Sequence, residues 1–508
     1  MSATSAVESA AVPSPGTAAP DPLFGASNAA ALALIAALLL LRLVLAAGMP
    51  LVPDEAYYAL WATSLSPGYL DHPPMIAVFI RLGQMLAGDT PFGVRLVTIL
   101  AVVPASACIW RAAGLLLEDR RAGPLAAVLF NVTIFGFLGM TLATPDAPLA
   151  VFSAAMVYCA ARLARAPGPG WWLAMGLATG LALEAKYSAA MLAGGFALGV
   201  LALPGLRREL LRPWPWLALA LALLVFLPNL AWNQMHGWET FTKQGGRVTA
   251  HALLRPRFLG ELVAVQVALA TPLVFLFGVA GLLPRAARQF RPGPGRALLL
   301  FMLLVPLAYF AVHALRSRVE GNWLGFLYPL LAIAAAAGLL SLSGTANLHL
   351  RRMRRLAVPV ALGLVLGLAA YALVRPPAAA PLRDPVVRMT QGWPAFAIKI
   401  DARRREAGAG LLLTDNYQLA AMLRRELPGV RVAQYNERAR YRFLDEPDPL
   451  ATAGPALVVA ANRSEDELRA ALGPLAPLGT VSRRFDEVEL ATVRLYRVEL
   501  PPVPAPGG

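Results

Sequence analysis

Apolar residues run along this chain in long blocks broken by short polar stretches. A helix needs about 20 apolar residues to cross a bilayer. Eleven segments meet or approach that length: 28–50, 92–117, 124–143, 147–164, 171–186, 188–205, 214–232, 258–283, 297–315, 322–341 and 356–374. The fifth and sixth are short and joined by LEAKYSA, which suggests one tight hairpin that does not fully cross. Residues 1–27 are rich in Ala, Pro and Ser and lack Lys and Arg. A secretory leader needs a positive n-region, so this stretch reads as a disordered tail ahead of an uncleaved first span.

The pattern changes near residue 375. GAGLLLTDN, GVRVAQYN and GPALVVAAN read as short buried strands, and YQLAAMLRREL and SEDELRAALG as helices between them. The second helix starts at Ser464, an N-cap residue followed by acids. Strand–helix alternation predicts a small soluble α/β domain. The expected layout is a tail (1–27), a transmembrane domain (28–375) and an extracytoplasmic α/β domain (376–508) on a polytopic α-helical membrane protein.

Composition agrees. The chain is 57% hydrophobic and 15% charged, where soluble chains average about 45–50% and about 25%. The net charge of +15 comes mainly from arginine. EDRRAG, RLARAPGPG, LRRELLRP, PRAARQFRPGPGR and NLHLRRMRRL lie on alternate loops, and each holds at least two arginines. That is the positive-inside pattern. The charge therefore points to cytoplasmic loops and anionic membrane lipid, not to nucleic acid. With the N-terminus inside, eleven spans put the C-terminus outside. Cys108 and Cys159 lie in apolar segments and read as small core residues.

The opposite loops carry the chemistry. VPDEAYYALW begins with Asp54 and Glu55 directly after the first span. Asp54 suits a helix N-cap and equally a general base, since a partly desolvated carboxylate can take a proton from a hydroxyl. Glu55 points elsewhere on the helix, toward a partner or a substrate hydroxyl. YLDHPPM sets Asp71 and His72 before two prolines, as a turn or as a hydrogen-bonding pair. TPDAP offers Asp146 as a cap or as another acid on the same face. Lys186 in LEAKYSA either snorkels or meets a phosphate, and Lys243 and Arg247 follow in WNQMHGWETFTKQGGR. In LRSRVEGNW, Arg316 and Arg318 break the arginine rule. Arginine's planar fork suits phosphate. Tyr58, Glu320, Asn322 and Trp323 complete the candidate substrate-binding set. There is no zinc spacing, Walker loop or GxGxxG. No cofactor is expected, and a divalent metal stays open only at Asp71–His72, whose spacing is not diagnostic.

These segments, with GDTPFGVRL and PNLAWNQMHGWETF, resemble in sequence and order the family 39 glycosyltransferases, polyprenyl-phosphate-sugar-dependent enzymes of the GT-C fold. The resemblance covers roughly residues 30–330 and extends to protein O-mannosyltransferases, the lipid A aminoarabinose transferase and bacterial lipopolysaccharide galacturonosyltransferases. It implies a bacterial inner-membrane enzyme working on the periplasmic face. Its donor would be a sugar on polyprenyl phosphate and its acceptor a hydroxyl of lipid A, lipopolysaccharide, another envelope glycan or a protein. The family's catalytic base matches Asp54. Displacement would invert the anomeric centre, with Lys186, Arg316 and Arg318 steadying the departing phosphate. Two other readings remain beside it: an O-antigen ligase or polymerase using a diphosphate-linked glycan, and a lipid or glycan transporter. The first lacks the acid pair of PDEAYY. The second calls for ionisable residues at mid-membrane and repeats, and only Arg42 lies well inside a span.

Overall fold

The computed structural model describes residues 28–249, 254–374, 384–451 and 453–500. The 1–27 tail lies outside the described residues.

Among the described residues, seven helices are long and apolar enough to cross a membrane: Asn28–Gly48, Pro91–Leu116, Asp146–Arg165, Pro213–Met235, Gly295–Ala314, Gly321–Ser341 and Leu348–Val374. Two bent pairs raise the count to nine, against eleven apolar segments in the sequence. The segment expected to span 258–283 breaks at Thr271–Pro272 into Arg257–Ala270 and Pro272–Leu282, bent by 107°. Pro272 cannot donate an N–H, and Thr271 has φ +66°. The sixth segment likewise turns by 94° between Ala189–Ala202 and Pro204–Leu211. The third is a short helix, Ala122–Val132, followed by a π-helical turn at Phe135–Gly139.

The tight hairpin around LEAKYSA does not form. Pro169–Ala185 packs mainly on Pro213–Met235, and Ala189–Ala202 mainly on Gly295–Ala314. Small residues set those pairings. A Cβ on Gly176 would lie 2.2 Å from the Ala218 carbonyl, and one on Gly195 2.6 Å from the Phe301 carbonyl. Close backbone approach is how membrane helices gain packing contact.

The bundle has two chemically different ends. At one, EDRRAG meets PRAARQFRPGPGR through a bridge between Leu117 and Phe290, with Arg291 N donating to Leu116 O at 2.8 Å. Arg296 and Arg354 cap helix ends there by donating to Leu282 O and Leu339 O. The acid-bearing segments gather at the other end. Arg42, deep in the first span, is fully buried. It donates to Gly136 O (2.9 Å) and Phe137 O (3.3 Å), carbonyls of the π-helical turn, so its partners are structural.

Residues 384–500 form the α/β unit. Strands β1 (Leu411–Thr414), β2 (Arg431–Gln434), β3 (Gly454–Ala460), β4 (Ala476–Phe485) and β5 (Val488–Leu500) make one sheet in the order β2-β1-β3-β5-β4. The first three are parallel, and β5 runs antiparallel to β3 and β4. The three expected strands and two expected helices are all present. Ser464 caps Glu465–Leu472 in a reciprocal capping box with Glu467. The β4–β5 hairpin was not anticipated. This unit does not hang free: Tyr57, Trp61, Tyr69 and Ile76 of the segment after the first span share one hydrophobic core with Trp393, Phe396, Leu419 and Leu457.

Glu55 anchors that segment. It is fully buried and accepts from Arg95 Nε (2.7 Å) and Nη2 (2.5 Å), Val52 N (3.0 Å) and Ala143 N (2.8 Å). Arg95 also donates to Met49 O and Pro50 O. The expected role for Glu55 as a substrate contact is thereby corrected. Both its oxygens are taken up in a closed ion pair joining the end of the first span to Pro91–Leu100 and Ala143. Glu55→Gln should lower stability by about 3–5 kcal/mol, because it strands the Arg95 charge away from water. A thermal unfolding midpoint within a degree of wild type for the detergent-solubilised variant would contradict this.

Candidate active site

Asp54 sits one residue before that anchor, in the first turn of Pro53–Trp61. It does not cap the helix: Val52 holds the cap position, and Glu55 reaches back to its N–H. The Asp54 carboxylate is half-buried and turned toward the α/β unit. Its Oδ1 accepts from Tyr417 Oη at 3.0 Å and Gln418 Nε2 at 2.8 Å. Its Oδ2 takes no hydrogen bond from any described residue. Tyr417 and Gln418 open the helix Tyr417–Glu426, capped by Asn416 through Leu419 N.

Asp71 is a second hub, not a turn starter. It is buried and accepts from Tyr57 Oη at 3.0 Å, from Lys243 Nζ at 3.1 Å and from Arg440 Nη1. Burial pushes its carboxyl up, but Arg440 and Lys243 outweigh this and hold it below the usual carboxylate range. Arg440 also binds Glu437 at 2.8 Å, and Lys243 approaches Glu437 at 3.6 Å. Gln244 and Thr240 donate to the backbone at Asp71 and Tyr69. This network joins the segment after the first span, the helix Glu239–Thr249 and the α/β unit. His72 lies beside it, its ring 6.3 Å from that of Tyr58. Among the described residues, no three His, Cys, Asp or Glu side chains converge as a metal ion would require.

A third cluster joins three separate motifs. Asp146 accepts from Lys186 Nζ at 2.7 Å and from Asn322 Nδ2 at 2.6 Å. TPDAP, EAKYS and EGNW thus meet at one carboxylate. The helix Asp146–Arg165 begins at Asp146, but the side chain caps nothing. Lys186 is thus paired with Asp146, as Lys243 is with Asp71. Tyr58 lies between the acids. Burial first, then Asp54, Asp71 and Asp146, raise its hydroxyl well above its ordinary value, so the phenol keeps its proton.

The remaining candidates differ in exposure. Arg316, Arg318 and Glu320 are all exposed. Arg318 lies 4.0 Å from Glu261, with both side chains largely open to solvent, and Arg316 makes no ion pair with any described residue. Trp323 packs near His313 and Phe310. The side chain of Arg247 lies outside the described residues. Sequence reasoning missed Arg95, Tyr417, Gln418 and Arg440. The cluster YNERARYRF held a visible excess of arginine and tyrosine, but no spacing tied it to an acid more than three hundred residues earlier.

Comparison with known proteins fits this geometry. The sequence profile of the dolichyl-phosphate-mannose-protein mannosyltransferase family matches residues 71–232. The lipid A galacturonosyltransferase RgtD of Rhizobium johnstonii is 28% identical over 282 residues, 53% of this chain. The match spans 56% of that relative's length. ArnT from Cupriavidus metallidurans, solved bound to undecaprenyl phosphate, aligns over 93% of this chain and 98% of its own, with a TM-score of 0.64 at 16% identity. The archaeal oligosaccharyltransferase AglB from Archaeoglobus fulgidus aligns over 84% of this chain and 69% of its own, with a TM-score of 0.50 at 12% identity. A membrane-helix bundle with its acids at one end, the matched segment and the aligned architecture converge: the chain shares the fold of ArnT and, over residues 71–232, the sequence pattern of the protein mannosyltransferase family.

Proposed function

We propose that this chain moves a sugar from a polyprenyl phosphate to a hydroxyl of a cell-envelope acceptor, at the periplasmic face of the bacterial cytoplasmic membrane. The observation that carries the reading is the state of Asp54. One carboxylate oxygen is held by two donors, and the other takes no hydrogen bond from any described residue. That is how an oriented general base is built. Asp54 takes the proton of the acceptor hydroxyl as its oxygen attacks the anomeric carbon. The bond to the phosphate breaks, its electron pair leaves with polyprenyl phosphate, and the anomeric centre inverts. The names of the relatives support the substrate classes: one acts on lipid A, and ArnT was solved with undecaprenyl phosphate. Lipid A and a uronic acid are accordingly the first pair to test. The arginine-rich end of the bundle faces the cytoplasm by the positive-inside rule, which sets the acids and the α/β unit outside.

Asp54→Asn keeps the size of the side chain and removes the base. With galacturonic acid on undecaprenyl phosphate as donor and lipid A as acceptor, turnover should fall by about 10²–10⁴-fold. Near-wild-type formation of glycosylated lipid A by this variant would remove Asp54 from the mechanism.

Arg316 and Arg318 are, with Arg255 and Arg257, exposed cations at this end that can meet a phosphate. The double variant Arg316→Ala/Arg318→Ala should bind undecaprenyl phosphate more weakly by roughly 1.5–3 kcal/mol, the range for a lost charged hydrogen bond. Unchanged binding by titration would move the phosphate elsewhere.

A reporter active only in the periplasm, fused after Gly508, should be active in cells. Activity there only of a cytoplasmic reporter would reverse the orientation and separate the acids from a periplasmic acceptor.

A further inference from the structure

The α/β unit supplies both protein donors to the carboxylate on which the proposed reaction depends. Neither donor is on a loose tip. Tyr417 and Gln418 are the first two residues of a capped ten-residue helix. Tyr441 Oη donates to Tyr417 O at 2.6 Å. The Arg440 guanidinium lies 4.1 Å from the centre of the Tyr417 ring. Tyr57, from the same helix as Asp54, meets that ring edge-on at 5.0 Å. Arg440 in turn is pinned by Asp71 and Glu437. The two donors are therefore fixed relative to Asp54 by contacts that cross between the segment after the first span and the α/β unit.

We infer that Tyr417 and Gln418 are positioning residues of the transfer reaction, an inference that rests on Asp54 as the base. Two donors on Oδ1 set the plane of the carboxylate, since a single hydrogen bond would leave it free to swing. Oδ2 is thereby presented to the acceptor. The acceptor's O–H bond breaks toward Oδ2 as its oxygen bonds the anomeric carbon, and the sugar–phosphate bond breaks with its electrons on phosphate. Tyr417 and Gln418 exchange no proton. Burial and the neighbouring Asp54 push the Tyr417 hydroxyl well above its ordinary value, so it remains a donor. The α/β unit is on this account part of the active site, not an appendage to it.

The test uses the full chain in detergent with undecaprenyl-phosphate-linked galacturonic acid and lipid A. Tyr417→Phe keeps the ring that packs on Arg440 and Tyr57, and Gln418→Met keeps the length of the side chain. The double variant should lose roughly 10²-fold in kcat, the scale for a misplaced catalytic group, with KM for donor and acceptor and the thermal midpoint unchanged. Each single variant should lose less, because one donor remains. The same pair of changes made on Asp54→Asn should lower the residual rate no further, because residues acting through one group are not additive. Three results overturn the inference: wild-type kcat in the double variant, a loss confined to KM, or a full further loss on the Asp54→Asn background. A fully active Asp54→Asn overturns the base reading itself. An inactive Asp54→Asn beside an unimpaired double variant overturns only the positioning role.

Discussion

Glu55, shut off from water and gripped by Arg95, determines where Asp54 stands. A buried carboxylate is tolerated only when its charge is paired and its lone pairs are met. Here the donors come from Val52, Arg95 and Ala143. Meeting that requirement draws the end of the first span, the start of the next span and the loop before Asp146 to one point. The neighbouring Asp54 is then displayed from a rigid first turn, its side chain about 100° round the helix from that of Glu55.

The same requirement, applied to Asp71 and Asp146, assembles the rest of the site. Asp71 recruits Lys243 and Arg440; Asp146 recruits Lys186 and Asn322. Each acid collects cations from distant segments, so most of the cations at this end are already paired. Among the described residues, Arg316, Arg255 and Arg257 stay exposed there without an ion pair. The pairing also bears on pH. Asp71 is held below its ordinary value, so its contribution is present above the ordinary carboxylate pKa of about 3.9 and is lost as pH falls through the depressed native value. Acid would loosen the α/β unit where Arg440 holds it.

Hydrophobic burial reinforces what the charges begin. The segment after the first span packs Tyr57, Trp61 and Tyr69 into the same core as the sheet's Leu412 and Leu457. Trp61 and Tyr69 stack with centroids 4.1 Å apart. Separating the α/β unit from the bundle would expose this shared surface. The sheet unit and the segment that carries Asp54 therefore pack as one body, which is why a residue beyond position 400 can touch one near position 50.

Local chemistry made much of this legible in the chain itself. Apolar length marked the helices, alternating arginine-rich loops marked the two ends, and short β-branched and leucine-rich runs marked three parallel strands. Each of these signals is written within about twenty neighbouring residues. Whether an apolar run crosses or bends is a different matter: Pro272 and the π-helical turn at Phe135 redirect backbone in ways that apolar length does not register. Roles of the acids were equally hidden. Asp54 and Glu55 are adjacent and chemically alike, yet one is sealed by Arg95 and the other meets Tyr417 and Gln418. Residue identity and spacing mark which side chains carry charge at this end of the bundle. Which of them are paired and which stay exposed follows from the fold, because partner choice depends on approach in space between segments up to some hundreds of residues apart.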